Sequence, residues 1–92
     1  MSSFFETGDI VTTPAAKKIL NNEKDNHISL LIRRHSTCDF GNLTQDEIQQ
    51  NHLALNEGEQ VISKYQVAGQ DIYVITEHDR SYTTIMLFQE YL

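Results

Sequence analysis

The last third of the chain constrains the fold most. From residue 60 onward, "QVISKYQV", "QDIYVITE" and "SYTTIMLF" follow one another as runs rich in β-branched and aromatic residues. Their side chains alternate: Val61, Ser63 and Tyr65 fall opposite Ile62 and Lys64, and Tyr82, Thr84 and Met86 opposite Thr83, Ile85 and Leu87. The links are short, with Gly69-Gln70 at the first turn and His78-Asp79-Arg80 at the second. Short links permit only an antiparallel meander, because a parallel crossover needs a dozen or more residues. One face of such a sheet must be covered, and the residues upstream are the only material for it.

Those residues read as helices. Thr13-Pro14 is a helix start: the Thr13 hydroxyl can accept from the free amides, and Pro14 lacks only a donor that would go unused. The helix runs through "AAKKIL" and ends near Asn21-Asn22. A second covers "HISLLIRRHS", with Ile28, Leu31, Ile32 and His35 on one face. Gly41 breaks the chain in "CDFGNL", and Thr44 with Glu47 forms a capping-box pattern that opens a third helix. That helix sets Ile48, Asn51, His52 and Leu55 on one side, with the Asn51 amide expected to tie it to the "DFGNL" loop, and stops at Gly58. Before all of these, "GDIVTT" at residues 8–13 reads as a short edge strand. The expected architecture is α+β: a small three- to four-stranded antiparallel sheet with about three helices packed on one face, in a single domain over residues 1–92.

Four quoted stretches, "RRHSTCDFGNL", "NHLALNEG", "VISKY" and "IYVITEHDRSYTTIMLFQEY", resemble a family of small bacterial proteins described as plasmid-related. The family pattern runs Arg-His-x-x-Gly-Asp-Trp-Gly, then Asn-x-x-Ala-Leu-x-x-Gly, then Val-Ile-Thr-Glu-x-Asp-Arg-Ser-x-Thr-Thr. The resemblance spans Ile10 to Tyr91 and is most specific from Ile75 to Thr84. Cys38 stands where the pattern has glycine, and Phe40 where it has tryptophan. The resemblance implies a mobile-element or bacterial accessory setting and carries no settled activity.

Charge narrows the partners. With 13 acidic against 7 basic residues the formal net charge is −6. Direct binding of nucleic acid needs a basic footprint, which this chain lacks. An acidic surface can instead meet a basic protein and compete with nucleic acid for the same groove. No apolar run approaches the roughly 20 residues of a membrane span. "MSSFFETGD" lacks the basic and apolar regions of a secretory signal, and the lone Cys38 fits a reducing compartment, so a cytoplasmic location is expected.

Several polar residues invite a chemical reading. His35 and Asp39 resemble a base oriented by a carboxylate, but the candidate nucleophiles Cys38 and Ser81 sit in no nucleophile motif. The structural alternative buries His35 and pairs it with Asp39 or a backbone carbonyl. His27, His35, His52 and His78 are scattered, so neither a metal site nor a cofactor is expected. In "VITEHDRSYTT", Glu77 and Arg80 can pair across the reversal, and Asp79 can accept from Ser81 in an Asx-turn. That tip is read as turn architecture first and as a recognition surface second. Phe4 and Phe5 have no evident partner.

The resulting expectation is a non-enzymatic phage or plasmid protein. Its narrower form is a counter-defence inhibitor of the anti-CRISPR or anti-restriction kind, mimicking nucleic acid on a basic protein surface. The candidate contact residues are Glu23, Asp25, Asp46, Glu47, Glu57 and Glu59, with Glu77, Asp79 and Arg80 as a possible polar tip. The alternatives are a regulatory interaction protein that dimerises through its sheet edge, and a small hydrolase built on His35 and Asp39. Both monomer and homodimer are compatible with the sequence.

Overall fold

The computed structural model describes residues 3–21 and 27–91. Strand β1 (Asp9–Thr12) leads into helix α1 (Pro14–Leu20), then come α2 (His27–Ser36), α3 (Gln45–Glu57), β2 (Val61–Val67), β3 (Gln70–Thr76), β4 (Tyr82–Leu87) and a short α4 (Phe88–Tyr91). The expected α+β class holds, and β2, β3 and β4 form the antiparallel meander. The sheet is mixed rather than purely antiparallel, because β1 pairs parallel to β4 and completes the order β1-β4-β3-β2. The sequence of β1 carries no sign of direction.

The helix signals resolve into real caps. The Thr13 side chain accepts from the Ala16 amide, and Thr44 and Glu47 exchange both capping-box bonds. Gly58 ends α3 in the left-handed region, φ 72°. The β2–β3 hairpin turns on Ala68 and Gly69, not on Gly69-Gln70, since Val67 and Gln70 are already paired. Both turn residues have positive φ, the backbone of the two-residue hairpin that matches strand twist.

Helices α1 and α2 cover one face. Ala16, Leu20 and Leu31 pack there on Tyr65, Val67, Ile72, Val74, Ile85 and Leu87. The expectation that all helices share this face is corrected in two ways. Helix α4, assigned from sequence to the end of a strand, folds back over the opposite face, where Phe88 and Tyr91 meet the Tyr73 ring edge-on at 5.3 and 5.2 Å. Helix α3 lies along the outer edge of β2. Its Asn51 amide donates to the Ile62 carbonyl at 2.7 Å and accepts from the Ile62 amide at 3.0 Å. Asn51 therefore ties α3 to the strand edge, not to the "DFGNL" loop.

The preceding loop closes the rest of that edge. The Lys64 amide donates to Phe40 O, and the Asn42 amide to Lys64 O. A Cβ at Gly41 would collide with the Lys64 carbonyl, so only glycine permits this approach. Phe40 anchors the loop in a second apolar cluster with Ala54 and Val61, which Phe5 and Cys38 flank.

Candidate interaction site

His35 is fully buried, as its place on the α2 stripe implies, but its partners differ from the expectation. Asp39 is occupied elsewhere, with Arg34 Nε donating to it at 2.7 Å on the surface. The His35 ring instead reaches the sheet: Nδ1 lies 2.6 Å from Ser63 Oγ and Nε2 lies 2.8 Å from Thr76 Oγ1. The proton order follows from the end of the chain. Thr83 Oγ1 donates to the Thr7 carbonyl at 2.6 Å, which can only accept. Thr83 must then accept from Thr76, 2.6 Å away. Thr76 in turn accepts from Nε2–H, and Ser63 donates to an unprotonated Nδ1. The network thus selects the neutral imidazole with its proton on Nε2.

Burial, with a smaller contribution from the Arg80 charge, lowers the His35 pKa to about 3. Both nitrogens are engaged and the ring has no solvent contact, so His35 does not present itself as a base to an outside substrate. Phe5 closes it from above, ring edge to ring at 5.2 Å, while Phe4 is exposed. Ser63, Thr76 and Thr83 were not singled out from sequence. Two of them carried a signal: Ser63 and Thr83 are polar residues at inward positions of alternating strands. Cys38 is half-buried, and burial raises its thiol pKa. Among the described residues no group of three His, Cys, Asp or Glu side chains gathers to hold a metal.

The hairpin tip is a built turn. Asp79 accepts from the Ser81 amide at 3.0 Å and from the Ser81 hydroxyl at 2.6 Å, the expected Asx-turn. Glu77 and Arg80 do not pair. The Glu77 carboxylate accepts from Gln60, while Arg80 donates to the carbonyls of Glu59, Glu77 and Ala54. Arg80 thereby clamps the β3–β4 hairpin to the C-terminal end of α3, adding to an Ala54 carbonyl that already accepts from the Gly58 and Glu59 amides.

An open groove of about 460 Å³ lies between α3, the β2 edge and α4. One wall is the α3 face carrying Glu47, Gln50, Leu53, Ala54 and Glu57. The other is Gln60, Ile62, Tyr73 and Tyr91 on the sheet face opposite α1 and α2. Leu53 and Tyr91 are each 50% exposed, so the groove shows apolar surface to solvent. Its acidic side chains sit at its ends. Glu47 lies in the first turn of α3, and Glu57 ends the helix with Glu59 just beyond. Ten residues of helix separate Glu47 from Glu57, about 15 Å along the axis. Burial first, and then the Glu47 charge, push the Tyr73 hydroxyl pKa up.

Of the six acidic candidates, Glu47, Glu57 and Glu59 line this groove. Asp46 is exposed beside Glu47 but does not line it, and Glu23 and Asp25 lie outside the described residues. Glu47 has a second task, because its carboxylate accepts from the Thr44 amide at 2.8 Å and its pKa is lowered by that bond. Sequence reasoning missed Tyr73, Tyr91, Gln50 and Leu53. Leu53 carried a signal, as an apolar residue off the Ile48–Leu55 stripe. Among the described residues no helix is long and apolar enough to cross a membrane. The chain matches no family model, no curated protein and no solved structure.

Proposed function

We propose that this protein is a non-enzymatic interaction module whose groove along α3 receives a basic segment of a protein partner. The observation that carries the reading is the meeting of exposed apolar surface and carboxylates in one groove. Leu53, Ile62, Tyr73 and Tyr91 offer apolar contact, and Glu47, Glu57 and Glu59 supply charge at both ends. The complementary ligand places Lys or Arg about 15 Å apart with an apolar side chain between them. Tyr73 and Tyr91 add faces on which a guanidinium can stack. The narrower form is a counter-defence inhibitor that occupies the nucleic-acid groove of a basic nuclease. It is supported by the acidic balance of the chain, −6 overall.

The test is capture from a bacterial lysate, followed by titration of the purified partner. The variant is Glu57→Lys/Glu59→Lys, because neither side chain takes part in a cap. Glu47→Lys is unsuitable, since it would break the capping box. The expected result is loss of a basic partner that the wild type retains, with affinity falling as salt rises. A partner retained equally by the variant, or one bound with salt-independent affinity, would refute the groove as the contact.

A further inference from the structure

The two edges of the sheet are treated differently. At β2, Asn51, Phe40 and Asn42 occupy the outward backbone groups of Ile62 and Lys64. At β1, among the described residues, there is no such cover. The Asp9 and Thr13 amides donate inward to Ser81 and Ile85 of the β4 side. The alternation of a parallel ladder then turns the N–H and C=O groups of Ile10 and Thr12 outward. Among the described residues neither receives a backbone partner on that side. Of the devices that protect natural edges, β1 has its short length and the charge of Asp9, but residues 10–12 contain no lysine, proline or bulge. Ile10 and Val11 are 41% and 48% exposed.

We propose that this edge pairs with the β1 edge of a second copy of the chain, antiparallel about a two-fold axis through Val11. The choice of occupant rests on self-complementarity. With the axis at Val11, Ile10 faces the second copy's Thr12, and Thr12 faces its Ile10. These are the residues whose outward groups are free, and each pair exchanges two backbone hydrogen bonds. Val11 meets its own equivalent at the close, non-hydrogen-bonded position, where two β-branched side chains pack well. Asp9 falls opposite Thr13, so no carboxylate opposes its twin. A shift of one residue would set free groups against occupied ones. The product is a continuous eight-stranded sheet whose middle is β1 against β1, with both α3 grooves at its outer ends.

Only a four-residue strand is contributed per copy, far less than the ~800 Å² a side of a stable interface, so association is weak and rises with concentration. Both copies carry the acidic excess, so their mutual repulsion is screened by salt and dimerisation strengthens as salt is added. This is the opposite of the salt response of the groove, which keeps the two readings separable.

The experiment is sedimentation equilibrium of the full chain up to millimolar concentration, at low and high salt. A monomer–dimer equilibrium that tightens with salt is expected, and Val11→Lys should raise its dissociation constant about tenfold or more by setting like charges face to face. Register is tested in a Cys38→Ser background. Val11→Cys should oxidise readily to a linked dimer, whereas Ile10→Cys should not. In the unaltered chain, hydrogen exchange provides a second measure: the Ile10 and Thr12 amides should gain protection with concentration while the already bonded Val11 amide changes little. A chain that stays monomeric at millimolar concentration overturns the proposal. So does a dimer unaffected by Val11→Lys, or one that cross-links equally through residue 10. Pairing of β1 with a different protein would appear as the first of these.

Discussion

Arg80 shows how much one side chain can hold together. The sequence marks it only as a turn residue that can pair with Glu77. In the fold it sits in the left-handed region, φ 62°, and donates to carbonyls of Ala54, Glu59 and Glu77. Its guanidinium also lies 5.9 Å from the Phe5 ring centre. Arg80→Ala is expected to destabilise the protein by about 2 kcal/mol, since bonds from a charged donor exceed the neutral average and the tie between the hairpin and the end of α3 is lost. Asp79→Ala should cost less, because its bonds to Ser81 are exposed and water replaces them. Urea denaturation of both variants orders them, and a larger loss for Asp79→Ala would contradict the clamp. Ala68 is the converse case. Its φ of 52° is unfavourable for a side chain with a Cβ, and no packing compensates, since Ala68 is exposed. Ala68→Asn creates the Asn-Gly hairpin turn and should stabilise by about 0.5–1 kcal/mol, read as a higher denaturation midpoint with an unchanged slope.

Helix α3 belongs to the element scale, because it closes an edge and forms a groove wall at once. Asn51 is the closing residue. Asn51→Leu would leave the Ile62 amide and carbonyl without partners at a part-buried site, at a cost of about 2–4 kcal/mol for the pair. The loss should appear both in the denaturation midpoint and in faster exchange of the Ile62 amide. The opposite end of the helix offers a gain. Its last turn contains no basic residue, and Glu57 faces the negative end of the helix dipole. Glu57→Lys should therefore raise stability by about 0.3–1 kcal/mol. That sign is useful: loss of partner binding in a variant containing this change cannot be attributed to unfolding.

At the scale of the whole molecule, His35 links α2 to β2, β3 and β4 and, through Thr83, to the N-terminal segment at Thr7. Its folded pKa of about 3 lies below the ordinary value of 6.5. The unfolded chain therefore binds the extra proton first, so stability is full above pH 6.5 and falls as pH drops toward 3. The loss is on the order of a few kcal/mol across that window, for a domain with only ~5–15 kcal/mol in total. Denaturation midpoints measured between pH 7 and pH 4 should fall accordingly, and His35→Gln should flatten the decline. Nitrogen NMR of the ring should find it neutral at pH 5 with the proton on Nε2. A ring that titrates near 6.5 would refute the buried network.

The sequence by itself determined what depends on neighbours along the chain. Periodicity placed α2, α3 and the meander. Thr13, Thr44, Glu47 and Gly58 marked helix ends, because caps act over three or four residues. The burial of His35 was also legible, from its position on the α2 stripe. What lay beyond local reach was decided by tertiary structure. The direction of β1 depends on β4, more than 70 residues away. The partners of His35 and Arg80 depend on which strands and carbonyls come within hydrogen-bond distance. The acidic residues could be counted from the chain, yet three of them became a groove only because α3 covers the edge of β2 and α4 folds back over Tyr73. Charge and propensity are properties of residues, whereas a groove is a property of the space between elements, and packing alone sets that space.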